Sequence, residues 1–153
     1  MFLKNEHGEL VNINKVAAVT TNTNSRGLDG EIRHYISMYT QHGKAVRFSY
    51  KTIDEFTNSY KALQEIFIKG NKRGQKWIDA DVKWICANGA MLHVDQLECI
   101  VFEGGAVKAC MANSEVKFWY NSGDELFKYL NAFEFNLRSA GHLIDLNDWK
   151  AEE

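Results

Sequence analysis

The chain has 153 residues, of which 45% are hydrophobic and 25% charged, with a net charge of −2 and a pI near 6.2. Such a composition belongs to a folded protein rather than a disordered one, and it argues against a dedicated polyanion binder while leaving room for a local basic patch. No apolar run approaches the ~18 residues of a membrane span, and the opening MFLKNEHGELVNI lacks a basic stretch followed by an apolar one, so neither membrane association nor a signal peptide is expected.

Residues 8–16 read GELVNINKV, with Val19 beyond. A glycine turns into an apolar strand; Asn14 is placed to cap a single helical turn, with Val16 pinned inward; a strand then departs over 17–23. The segment TTNTNSRGLDGE (20–31) is polar and is expected to stand off the sheet as a long hairpin or mobile loop. Arg33, Tyr35, Ser37 and Tyr39 share one face of the next strand. In VRFSYKTIDEF (46–56), Val46, Phe48 and Tyr50 alternate with Arg47 and Ser49, the period of a half-buried strand. Thr52-x-x-Glu55 is a capping box, and the helix it opens carries Ile53, Phe56, Tyr60, Leu63 and Phe67 at spacings of three and four. Gly70 is the expected stop.

The connector KGNKRGQK (69–76) is basic and Gly-containing, with Lys72 and Arg73 as candidate anion contacts. WIDADVKW (77–84) sets Asp79 and Asp81 between Trp77 and Trp84. Two carboxylates beside tryptophans can form a sugar or general-acid site, but no partner pair is visible and an ordinary strand edge is the expected reading. The pattern of the first half then returns. Residues 89–97, GAMLHVDQL, with Ile100 beyond, match 8–16 and Val19 without a gap, Asp95 standing where Asn14 stood. A strand is expected over 98–103, closed by Gly104-Gly105 as a two-residue hairpin turn. VKFWYNSGDEL (116–126) repeats 46–56, with Lys117 and Trp119 opposite Val116, Phe118 and Tyr120, and Ser122-x-x-Glu125 as a second capping box. The second helix carries Leu126, Leu130, Phe133 and Leu137. Phe127, Tyr129 and Phe135 fall off that stripe, so cover on two sides is expected. Gly141 ends it, and HLIDLNDWKAEE (142–153) supplies Leu143, Ile144, Leu146 and Trp149 to strap the tail down.

These patterns predict an α+β protein: an internal duplication of a ββββα unit, with two antiparallel sheets and two main helices in one pseudo-twofold body. Residues 1–70 are the first repeat, 71–83 a connector and lead-in strand, 84–141 the second repeat and 142–153 the strap. A unit of that size buries only ~60% of its unfolded surface, against ~68–70% for 150 residues, so the two copies are expected to share a core.

Chemistry is sparse. Cys86, Cys99 and Cys110 contain no C-x-x-C and are odd in number, which suggests buried free thiols and cytoplasmic residence. None of the five histidines has i,i+4 spacing to another ligand type on a predicted helix, so no metal site is expected. His93 and Asp95 share a strand face, with a surface histidine as the alternative. No phosphate loop or nucleophile elbow occurs. No catalytic residue and no cofactor is therefore expected. What remains is surface. The polar loop offers Asn22, Asn24, Arg26 and Asp29. An aromatic and basic sheet face offers Arg33, Tyr35, Arg47, Lys117 and Trp119, which suits a protein partner or stacked bases.

The repeated unit, Gly-x-φ-φ-x-φ-Asn with a polar hairpin and a strand running into Thr/Ser-x-Asp-Glu, is similar to short β-rich FlbD-type flagellar proteins and to bacterial pleckstrin-homology-like modules, over about 60 residues in each half. The tandem ββββα order resembles the Whirly and PUR single-strand nucleic-acid binders, a resemblance that implies a basic sheet face. The function expected is a non-catalytic accessory protein of bacterial or phage type that binds another protein, as an inhibitor, immunity factor or anti-defence factor. The alternative is single-stranded nucleic-acid binding by Tyr35, Arg47, Lys117 and Trp119.

Overall fold

The computed structural model describes residues 1–69 and 83–144. Lys72 and Arg73, the pair Asp79/Asp81 with Trp77, the Gly70 stop, and Leu146 and Trp149 of the expected strap lie outside the described residues.

Strands form where apolar and polar residues alternate, and helices where the apolar spacing lengthens to three and four. In chain order the first half gives β1 (Phe2–Lys4), β2 (Leu10–Asn12), a 3₁₀ turn (Ile13–Lys15), β3 (Val16–Arg26), β4 (Ile32–Thr40), β5 (Ala45–Tyr50) and α1 (Ile53–Gln64), which widens into a π turn over Glu65–Lys69. The second gives β6 (Trp84–Ala87), β7 (Ala90–His93), a 3₁₀ turn (Val94–Gln96), β8 (Cys99–Glu103), β9 (Ala106–Cys110), β10 (Glu115–Trp119), α2 (Gly123–Ser139) and β11 (Leu143–Ile144). The protein is α+β, with two α-helices among the described residues. Among those residues each half holds five strands before its helix rather than the four expected. The extra ones, β1 and β6, are only three and four residues long, too short to show a period.

Local signals account for the element ends. Thr52 Oγ1 accepts from the Glu55 N–H and Ser122 Oγ from the Glu125 N–H, both at 3.2 Å, so each capping serine or threonine satisfies an orphan donor of the first turn. The first 3₁₀ turn is capped by Asn12, whose side chain accepts from the Asn14 N–H, and not by Asn14 itself. Asp95 likewise sits inside the second turn and pairs with Lys83 at 3.7 Å. α2 ends in a Schellman arrangement: the Gly141 N–H donates to the Arg138 carbonyl and the His142 N–H to that of Leu137. Gly104 and Gly105 have φ of 62° and 82°, the two positive values a tight primed hairpin turn demands.

The strands do not segregate by half. One six-stranded sheet runs β10-β9-β8-β2-β1-β11; a second is β3-β4-β5; the hairpin β6-β7 stands as a third. Two sheets were expected. The difference arises because β1–β2 leaves its own half and pairs with β8, Leu10 opposite Ile100 and Val11 opposite Cys99. All pairings are antiparallel except β1 with β11. Phe2, Leu3, Leu10 and Val11 are completely buried, because this hairpin has a core on each face. Phe2 and Leu10 join α2 (Leu130, Phe133, Leu137), the β6–β7 hairpin and Ile100, Val107 and Ala109. Leu3 and Val11 join α1 (Phe56, Leu63), the inner face of β4 and β5 (Ile36, Met38, Val46, Phe48) and Cys99, Val101 and Cys110.

α2 buries a single stripe. Tyr129 packs against the core, but Phe127 and Phe135 stay in solvent, so among the described residues nothing covers this helix on its second side. Lys4 Nζ reaches Glu134 Oε1 at 2.8 Å and Arg138 bonds the same oxygen at 3.1 Å, tying β1 to α2. Partial burial would raise the Glu134 carboxyl, but these two cations prevail and hold it below the usual range. No helix among the described residues is long and apolar enough to cross a membrane.

Candidate functional site

The polar segment 20–31 folds as a hairpin arm. β3 and β4 pair from Val16↔Thr40 out to Arg26↔Ile32, with a register shift between Asn22 and Ser25. Asn24 takes φ of 58° in that bulge, a conformation asparagine tolerates better than most residues. Its N–H donates to Nδ1 of buried His34 at 3.1 Å, which anchors the bend to the core beside Phe56. At the tip, the Gly27 N–H bonds the Glu31 carbonyl and the Gly30 N–H bonds that of Gly27. Asp29 accepts from the Glu31 N–H at 3.0 Å and from Arg33 at 3.3 Å. Asp29 and Arg33 therefore hold the turn and neutralise each other. Leu28, at the apex, is fully exposed.

The outward face of the three-stranded sheet is built by cross-strand neighbours. Asn22 lies opposite Tyr35, Tyr35 opposite Ser49, and Ser37 opposite Arg47. The Arg47 guanidinium stacks 4.9 Å from the centroid of the Tyr35 ring, a cation–π contact. The outer edge of β5 is closed by the β1–β2 loop: Asn5 Nδ2 donates to the Arg47 carbonyl at 2.8 Å, and the Ser49 N–H donates to Glu6 at 3.0 Å.

Lys117 and Trp119 lie on β10, the last strand of the six-stranded sheet, with Lys117 Nζ 5.7 Å from the Trp119 ring centroid. Trp119 is 63% exposed. The face it shares is covered over β1, β2 and β8 by the second core and open toward β10. Tyr35 with Arg47 and Lys117 with Trp119 thus form two separate pairs on two sheets, rather than one aromatic and basic surface.

Among the described residues no group of three His, Cys, Asp or Glu side chains is placed to hold a metal ion. Cys99 and Cys110 are buried and face each other across β8 and β9, whereas Cys86 is exposed, against the expectation of three buried thiols. A hydrogen bond to Cys110, together with burial, pushes the Cys99 thiol far up and keeps it protonated. No hydrogen bond or ion pair joins His93 to Asp95, which pairs with Lys83. Its ring packs edge-on against Trp84 at 5.0 Å, and its Nδ1 is the one buried side-chain polar atom without a hydrogen-bond partner among the described residues.

Two features were invisible in the sequence. Buried Glu98 accepts from the His42 N–H at 3.3 Å and bonds the His42 ring through its other oxygen. This clamps the β4–β5 turn to the start of β8. Among the described residues no hydroxyl or thiol is hydrogen-bonded to that ring. The second feature is an open apolar groove of about 290 Å³ along the outer edge of β3, formed by residues 16–19 with Tyr60, Gln64 and Phe67. Nothing local marks either: both join residues from distant parts of the chain. No family model matches the chain, and neither a curated protein nor a solved structure is significantly similar to it.

Proposed function

We propose that this is a non-catalytic, cytoplasmic accessory protein of bacterial or phage type that binds another protein through the β3–β4 arm. The observation that carries this reading is Leu28, an apolar side chain held wholly in solvent at the apex of a hairpin braced at its tip by Asp29 and at its bend by His34. Projecting loops on a rigid body are common carriers of recognition, and the arm also displays Arg26 and Arg33, a residue type enriched in interfaces. Leu28→Asp is expected to leave stability within ~0.5 kcal/mol, since it alters an exposed site, and to reduce specific capture of a partner from host lysate at least tenfold. Quantitative pull-down with both proteins checks this; equal capture by wild type and variant overturns it.

Exposed Trp119 with Lys117 beside it supports a second reading, single-stranded nucleic-acid binding. It is the weaker one, because the Tyr35–Arg47 pair lies on another sheet and does not extend the track. On this reading affinity for an oligonucleotide falls steeply with salt, and Trp119→Ala costs ~1–3 kcal/mol of binding in a fluorescence titration. Absence of binding at roughly 50 mM salt ends it.

We infer further that the two halves are a duplicated unit related by a pseudo-twofold axis. The matched residue patterns support this, as does the order common to both halves: two strands, a 3₁₀ turn, three strands and a capped helix.

A further inference from the structure

We propose that the β6–β7 hairpin of a second copy docks on the free edge of β3, twice across a twofold axis, so that each copy closes the other's groove. The inference rests on the duplicated-unit reading, because the molecule contains its own template for the contact. In the first half, the β1–β2 hairpin pairs through β2 with β8 and buries both faces: Leu3 and Val11 toward α1, Phe2 and Leu10 toward the core of α2. Matching the halves by hairpin register sets Trp84 against Phe2, Ile85 against Leu3, Met91 against Leu10, Leu92 against Val11 and His93 against Asn12.

The inner face of the second hairpin behaves as its counterpart does. Ile85 and Leu92 are 3% and 4% exposed, packed against α2. The outer face does not. Phe2 and Leu10 are fully buried, whereas Trp84 is 55% and Met91 69% exposed. One half of the expected burial is missing. Among the described residues the surface that would supply it is open: β3 ends its sheet, and residues 16–19 share an apolar groove with Tyr60 and Phe67. An edge of an eleven-residue strand that no described residue pairs is a ready pairing template.

The polar groups repeat the match. Asn12 donates its side-chain amide to the Leu97 carbonyl and its backbone N–H to that of Glu98, both at 2.9 Å. The corresponding carbonyls belong to Val16 and Ala17, on the β3 edge. The residue in the place of Asn12 is His93, whose buried Nδ1 has no partner. Leaving such an atom unpaired is unfavourable; it is sealed within the single chain, so the ring turns on docking to present it to a β3 carbonyl of the second copy. A twofold arrangement makes the contact twice, which is how a hairpin-sized patch approaches the ~1,200 Å² at the lower end of stable interfaces.

The template places Met91 directly opposite Val19. The test uses the full chain with Cys86→Ser as background. One preparation carries Val19→Cys, another Met91→Cys and a third both substitutions. Mixed and oxidised, the first two are expected to give a disulfide-linked dimer that neither gives alone, and the wild type is expected to sediment as a dimer. Met91→Lys with Trp84→Lys is expected to shift it to monomer with an unchanged circular dichroism spectrum, both side chains being exposed in the single chain. A protein that stays monomeric, or one in which only a chain carrying both cysteines cross-links to itself, overturns docking by a second copy and leaves the duplication standing. A dimer lost in the lysine variant but without the Val19–Met91 cross-link overturns the docking of this hairpin on β3, again leaving the duplication standing.

Discussion

Replacing Phe133 by alanine is expected to destabilise the protein by about 3–5 kcal/mol, a large part of the ~5–15 kcal/mol that holds a typical domain. Phe133 is completely buried and meets the Phe118 ring at 5.4 Å in a T-shaped contact. Around it converge α2, the β1–β2 and β6–β7 hairpins and the front of the six-stranded sheet. Those walls come from separate elements, each fixed by its own hydrogen bonds, so the hole left behind cannot easily collapse. Two residues along the same helix, Phe135 is 70% exposed, and Phe135→Ala is expected to change stability by less than ~0.5 kcal/mol. Denaturant unfolding of both variants checks the contrast. Equal losses would mean that α2 buries a different face.

Residues 1–69 expressed alone are expected not to fold. The first hairpin would expose Phe2 and Leu10, which are buried only against the second half. The Asn12 amide would lose the Leu97 carbonyl, and the β4–β5 turn would lose Glu98. A piece of this size has little surplus to offset such losses. Heating should give no cooperative transition, and co-expression with residues 70–153 should restore one. A sharp two-state melt of the isolated fragment would contradict the interleaved sheet.

Much of this architecture was legible because it is written locally. The alternation of Val46, Phe48 and Arg47, the Thr52 and Ser122 caps, the Gly104-Gly105 turn and the Gly141 stop each need only a few neighbouring residues, and each appears in the structure. Strand exchange was not legible. Leu3 and Leu10 carry no sign of which sheet they will join, since pairing is settled by packing across most of the chain. The same limit governed the candidate site. The outward direction of Tyr35, Arg47 and Trp119 followed from period two, but their division between two sheets required the topology. The exposure of Phe127 and Phe135 also escaped prediction, because an apolar residue on a helix does not reveal whether anything is present to cover it.

The first hairpin has a consequence for how the chain is made. Asn12 waits for a carbonyl 85 residues downstream. At ~5–20 residues per second of synthesis, that is roughly 4–17 s. Over that interval Phe2 and Leu10 lack their final core neighbours, which come from residue 85 onward, and Leu3 and Val11 lack Cys99, Val101 and Cys110. The nascent β1–β2 hairpin is therefore a ligand suited to chaperones that grip short apolar segments, and the speed of translation between residues 12 and 97 sets how long they hold it.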